Sequence, residues 1–137
     1  MNVRISITGT QRMGEEQDTI ELTTEGCMKR TPKGFSLQYD ETVTGMEGVS
    51  TVMRVSDAIV ELERTGAMNS LLTLEKGKRH MSSYDTGYGS LMMGVYTSEL
   101  HNGLSENGGE LRFRYTLDIN AGVASSHDVR VVVQPLH

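Results

Sequence analysis

A strict alternation of apolar and polar side chains runs through this chain, and it limits the possible folds more than any other feature. It is clearest in GELRFRYTLDINAG, residues 109–122. Leu111, Phe113, Tyr115, Leu117 and Ile119 fall on one side of an extended chain, and Arg112, Arg114, Thr116, Asp118 and Asn120 on the other. Successive side chains of a strand point to opposite faces, so this segment predicts a strand with one core face and one wet face. Wound into a helix, the same apolar set would be smeared around the axis.

The pattern recurs from end to end. Val3, Ile5 and Ile7 alternate near the start, followed by Ile20 and Leu22. Phe35, Leu37 and Tyr39 form the next series, then Thr51, Met53 and Val55, then Ala58, Val60 and Leu62. Leu72 and Leu74 follow, then Leu91, Met93 and Val95, and Val129, Val131 and Val133 end the series. Turn-forming residues separate these runs at 31–34, 44–48, 65–69, 75–78, 85–89 and 106–109. Glycine and asparagine tolerate the positive φ that tight turns require. The reading is about ten short strands joined mostly by short turns. No helix-length 3.6-residue pattern occurs; the best helical candidate, SELHNGLS at 98–105, is interrupted by Gly103. Pro32 sits in a turn and Pro135 at the end of the last strand, where a missing N–H costs little.

Hairpin-linked strands in sequence order make a meander. A long meander leaves exposed edges unless it closes on itself, and closure into an up-and-down barrel removes them. A sandwich is the competing arrangement, but these turns are too short for many crossovers. The expected fold is all-β: a single domain over 1–137 forming a meandering antiparallel barrel of eight to ten strands.

The stretch RHMSSYDTGYGSLMMGVYTSEL, residues 79–100, is rich in hydroxyls, tyrosines and glycines and carries His80. The alternation makes it two strands, 79–84 and 90–100, around a turn at 85–89. A phosphate loop would need GxGxxG or GxxxxGK[ST] between a strand and a helix, and the spacing here is wrong. A serine nucleophile on a strained elbow would need GxSxG, which is absent. His80, His101, His127 and His137 are remote from one another and lack metal-ligand spacing. His80 reads as a surface strand residue, although the register also allows it to face inward with Ser82 and Tyr84. Glu41 and Asp85 alone do not make a paired-carboxylate site.

The charge balance narrows the partners. A net charge of −5 argues against nucleic acid, whose binding needs a basic field, and against an anionic membrane surface. The single cysteine, Cys27, rules out an intrachain disulfide and any CxxC site. The N-terminal MNVRISITGT lacks the apolar run of a signal peptide, and no stretch approaches a membrane span. A cytoplasmic location is expected. With no Trp and nine Met, the interior must be filled by aliphatic and thioether chains, which adapt to irregular gaps.

The order FSLQYDE, ELERTG, YDTGYGSLMMGVYT and GGELRFRYTLDIN resembles the YwiB-like family of small uncharacterised bacterial proteins. The resemblance covers residues 2–134, and its most specific pieces are Tyr39-x-Glu41, Arg64-x-Gly66 and Tyr84-x-Thr86-x-x-Gly89. It implies a lipocalin-like (calycin-type) barrel. It implies no activity.

Several inward series end in a polar residue when extended by two. Phe35, Leu37 and Tyr39 lead to Glu41; Ala58, Val60 and Leu62 lead to Arg64; Leu91, Met93 and Val95 lead to Thr97. Neighbouring strand ends alternate between the two rims of a meander, so these residues need not meet. If Glu41 and Arg64 meet with Tyr84 and Thr86 beside them, Arg64 can hold a carboxylate or phosphate by a forked pair of hydrogen bonds. The simpler arrangement pairs Arg64 with Glu41 and closes a filled barrel. Tyr39 and Tyr115 complete the candidate ligand-binding set, with core packing as their ordinary role. No catalytic residue, metal or cofactor is expected. The favoured function is non-catalytic binding of a small, partly apolar, anionic or amphipathic molecule. The alternatives are a protein–protein interaction module acting through the outer wall, with a homodimer allowed, and an enzyme with an interior site.

Overall fold

The computed structural model describes residues 1–41, 47–67, 69–85, 89–119 and 122–136, the side chains of Tyr84, Asp85, Ser90, Val123 and Ala124 excepted. Ten strands follow in order: β1 (Asn2–Met13), β2 (Glu16–Thr31), β3 (Gly34–Asp40), β4 (Val49–Ser56), β5 (Ile59–Gly66), β6 (Ser70–Glu75), β7 (Arg79–Asp85), β8 (Ser90–Ser105), β9 (Gly108–Ile119) and β10 (Gly122–Pro135). There is no helix among the described residues. Each strand pairs antiparallel with the next, and β10 returns to β1, from Val3 opposite Pro135 to Arg12 opposite Ser126. The result is one closed meander, and the sandwich alternative falls.

Antiparallel order sorts the connections. The links β1–β2, β3–β4, β5–β6, β7–β8 and β9–β10 gather at one rim, here called upper. The other links and both termini lie at the lower rim. The lower half is solidly filled: Val3, Ile5, Leu37, Leu74, Leu111 and Val131 are all 0 % exposed. Leu111, Phe113 and Tyr115 are buried while Arg112 and Arg114 are exposed, as the alternation requires. Leu117 and Ile119, nearer the upper rim, are half-buried. The outer wall carries ion pairs such as Arg79–Asp118, Arg114–Asp128 and Arg130–Glu110. At such exposed positions each adds little stability.

The SELHNGLS segment is strand, not helix, and a bulge explains why its pattern was hard to read. Thr97 faces Tyr115 and Glu99 faces Arg114, so Ser98 is an extra residue in the ladder. Before it, odd-numbered residues of β8 point inward (Val95, Thr97). After it, even-numbered ones do, with Leu100 opposite Phe113 and Asn102 opposite Leu111. A second bulge, between Val123 and Ser125, resets β10 in the same way.

Two places depart from full pairing. Among the described residues β6 and β7 share the single register pair Ser70–Tyr84, and the turn after β6 bonds to β8, Gly77 N–H donating to the Thr97 carbonyl at 2.8 Å. β2 pairs with β1 over residues 16–27 but with β3 only over Cys27–Thr31.

Gly89, at the end of the β7–β8 connection, has φ +133°, and a Cβ there meets nothing within 4 Å. The demand is therefore one of backbone conformation, not of space. Valine, β-branched, is expected to cost roughly 1–3 kcal/mol at this position. Thermal unfolding of Gly89→Val measures it; an unchanged midpoint would contradict the assignment of this turn. Tyr88 lies outside the described residues.

Candidate functional site

The upper half of the barrel is hollow. A cavity of about 240 Å³ opens towards the upper rim, with Ile7, Leu22, Met53, Leu62, Phe113 and Val129 giving it an apolar wall. Tyr39, Glu41, Arg64, Tyr115, His127 and Gln11 also line it. A second hollow of about 280 Å³ shares Gln11, Arg64, Tyr115 and His127, so the two flank the same side chains.

The polar groups reach this level through the sheet register. Tyr39 on β3 lies opposite Thr51 on β4, Thr51 opposite Arg64 on β5, and Arg64 opposite Ser70 on β6. Across the barrel, Gln11 on β1 lies opposite His127 on β10, His127 opposite Tyr115 on β9, and Tyr115 opposite Thr97 on β8. Directly opposed residues share a face, so these two rungs form a polar girdle inside the wall. Glu41 continues the inward face of β3 just past its end.

The structure thus brings together four of the expected residues, Tyr39, Glu41, Arg64 and Tyr115. The concern that strand ends might separate them is resolved by topology: β3 and β5 both finish at the upper rim. Tyr84 occupies the next register position, opposite Ser70. Thr86 and the Tyr84 side chain lie outside the described residues. Gln11, Thr51, Ser70, Thr97 and His127 were missed as site residues. Thr51 and Thr97 were read as members of an inward series, but nothing in the spacing distinguishes a girdle hydroxyl from a core one.

Arg64 and Glu41 face each other with Nε to Oε1 at 3.7 Å, a loose ion pair. The Glu41 side chain is only 4 % exposed, and its Oε1 accepts a hydrogen bond from Thr51 Oγ1 at 2.6 Å. Arg64 Nε is buried and has no hydrogen-bond partner among the described residues. A guanidinium offers five donors, and a buried donor left without an acceptor is costly. Glu41 is therefore served by Thr51 while Arg64 keeps donor capacity inside a hollow. The filled-barrel arrangement supplies the ion pair but not the hollow.

Both phenols are buried in the wall. Burial, with the Glu41 carboxylate as a second contribution, pushes Tyr39 up to about 12. Burial also raises Tyr115, opposed by the positive charge of Arg64. Tyr115 stacks on Phe113 with ring centroids 6.0 Å apart and on His127 at 4.7 Å, nearly parallel. Burial lowers His127 below the ordinary imidazole range.

A histidine depressed in the fold is neutral there while the unfolded chain takes up its proton. Stability from this source is complete above the unfolded value, about 6.5, and is lost as pH falls through the folded one. Unfolding midpoints of the wild type are therefore expected to drop between about pH 7 and pH 5 more steeply than those of His127→Gln. Parallel pH profiles would show that His127 does not carry the effect.

Two other clusters are less promising. His127 Nε2 lies 2.8 Å from Ser125 Oγ, a nucleophile–base spacing. The Ser125 hydroxyl is buried and Ser125 is not part of the cavity wall. His80 is half-buried rather than a free surface residue: it lies opposite the buried Val95, and its Nε2 contacts Glu75 Oε1 at 2.9 Å. Among the described residues no three His, Cys, Asp or Glu side chains could hold a metal ion, and no helix is long and apolar enough to cross a membrane.

Comparison with known proteins adds the family. The profile described as "Domain of unknown function (DUF1934)" matches residues 5–131. The chain belongs to this family. Among solved structures, the "Crystal structure of ywiB protein from Bacillus subtilis" is similar with a TM-score of 0.89 and 19 % sequence identity, over 99 % of this chain and 92 % of that one. The YwiB-like resemblance read from the motifs is thereby borne out, and at that identity the structural likeness speaks to the fold. No curated protein matches the chain. The DUF1934 description assigns no activity.

Proposed function

We propose that this barrel is a non-catalytic binding protein for a small, partly apolar, anionic molecule, with Arg64 as the anchor of its carboxylate or phosphate group. One observation carries the reading: Arg64 Nε is buried beside a cavity of about 240 Å³ without a hydrogen-bond acceptor among the described residues. Its nearest acid, Glu41, is already bonded to Thr51. An anion in the chamber would complete the guanidinium, while the apolar body of the ligand rests on Met53, Leu62 and Phe113. The phenol groups of Tyr39, which is hydrogen-bonded to Thr51, and of Tyr115 lie at the same level and stay protonated at neutral pH. The setting proposed is the bacterial cytoplasm, and the barrel is used in the manner of a lipocalin-like (calycin-type) carrier.

Native mass spectrometry of the protein isolated from its own cells tests this directly, with a retained small acid as the expected result. Titration with octanoate and octyl phosphate, followed by tyrosine fluorescence, gives the affinity, with octanol as the uncharged control. Saturable binding of the two anions and weaker binding of octanol is expected. Equal behaviour of all three would remove Arg64 from the reading, and no binding at all would remove the reading.

A second reading, protein–protein association through the outer wall, is favoured by the patch around Gly94. Met81 lies opposite Gly94, Met92 and Tyr96 flank it on β8, and all three side chains are exposed. Sedimentation of the wild type and Met92→Lys would detect association through this face.

A further inference from the structure

We propose that the ligand is an amphipathic phosphodiester, its phosphate held at Arg64 between an apolar chain on one side and a hydroxylated, glycerol-like head group on the other. This rests on the reading of Arg64 as an anion anchor and names the class of molecule that bears the anion. The arginine does not stand at the end of a hollow. The cavity of about 240 Å³ and the second hollow of about 280 Å³ both have Arg64, Tyr115, His127 and Gln11 in their walls. An acceptor bonded to the guanidinium therefore has room on two sides. A carboxylate or a phosphate monoester ends the molecule that carries it and would leave one hollow unused. A phosphodiester carries a substituent on each of its two ester oxygens and keeps two free oxygens for the guanidinium fork.

The two hollows suit different ends of such a molecule. The first has the apolar wall already described, from Ile7 and Leu22 round to Phe113 and Val129. The second adds the hydroxyls of Ser70 and Ser83 to Leu72, Met93 and Leu117. Gln11, common to both, supplies an acceptor: its Nε2 donates to Met13 Sδ at 3.0 Å, and its carboxamide oxygen has no donor among the described residues. An alkyl chain is at home in the first hollow, and a head-group hydroxyl has partners in the second. Charge limits the anion to a single negative group. Arg64 is the one cation in either wall among the described residues. Glu41 already stands 3.7 Å from it, and burial holds His127 neutral. A monoester carries close to two negative charges at neutral pH, and the second would face Glu41 without a cation of its own. A diester carries one.

The probe is octyl phosphoglycerol, titrated calorimetrically into the full chain at neutral pH. Three relatives accompany it: octyl methyl phosphate, a diester without the hydroxyls; octyl phosphate, the monoester; and octyl glycerol ether, which lacks the charge. Octyl phosphoglycerol is expected to bind about tenfold or more tighter than each of the three. Met93→Phe, which puts a ring into the second hollow, is expected to remove that advantage, and Gln11→Leu to reduce it severalfold; thermal unfolding shows that each variant is folded. The two variants act independently, so a failure of one to fold leaves the other to decide. An advantage that survives both substitutions would overturn the second hollow as the head-group site. Equal binding of octyl glycerol ether and octyl phosphoglycerol would overturn the place of the phosphate at Arg64. If octanoate and octyl phosphate bind but octyl phosphoglycerol binds no better, this inference falls while the small-anion reading stands; if none of the anionic probes binds, both fall.

Discussion

Replacing Gly109 by alanine is expected to destabilise the barrel by roughly 3 kcal/mol. Gly109 has φ +133°, a region that L side chains rarely adopt. A Cβ there would also overlap the Gly103 carbonyl oxygen on the facing strand β8. That oxygen belongs to the main chain of a paired ladder, so it cannot turn aside as a flexible side chain would. Strain and overlap therefore add, and relieving them means opening the hairpin between β8 and β9. Urea unfolding of Gly109→Ala measures the loss as a lower midpoint at unchanged slope. Gly9→Ala is the control, because a Cβ at Gly9 meets nothing within 4 Å and its φ is ordinary. That variant is expected within about 0.5 kcal/mol of the wild type. Equal midpoints for the two variants would refute the geometric account.

Arg64→Met is expected to weaken octanoate binding about tenfold to a hundredfold, the worth of hydrogen bonds to a charged group. It should lower the stability of the ligand-free protein by about 1–2 kcal/mol. The stability loss is held to that scale because the pair with Glu41 is loose, at 3.7 Å, and Thr51 still bonds the carboxylate. Methionine keeps most of the packing volume on the inward face of β5, so the comparison isolates the charge. Arg64→Lys retains the charge but loses the forked donors, and should fall between the two. A loss of several kcal/mol with octanoate binding intact would mean that the Glu41 pair is structural and that the anion rests elsewhere. Unfolding and titration on the same preparations separate these outcomes.

The girdle residues show how far a linear reading carries. Arg64 was legible because it continues the face of Val60 and Leu62 on a strand with unbroken alternation. Glu41 was legible for the same reason, two residues beyond Tyr39. His127 was not, although it shares the face of Val129, Val131 and Val133, because a histidine preceding an apolar run has no local mark of what faces it. Its neighbours Gln11 and Tyr115 lie far away in sequence and meet it only through the register of β1 and β9.

Within each unbulged stretch of strand, then, the sequence by itself determined which side chains point inward, since the two-residue period of an extended chain leaves no freedom once one face is apolar. The turn glycines and the order of strands were likewise decided locally, because short hairpin connections leave a meander as the simplest path. Tertiary structure decided the remainder. The bulge at Ser98 reversed the inward parity of β8, and such a slip depends on how β9 curves beneath it rather than on the composition of 98–105. Ring closure set Tyr39, Thr51, Arg64 and Ser70 across from Gln11, His127, Tyr115 and Thr97. Whether the space between them is filled depends on side chains from eight strands at once. At the lower rim those side chains meet and fill it; at the upper rim they leave a cavity beside an arginine with a donor to spare.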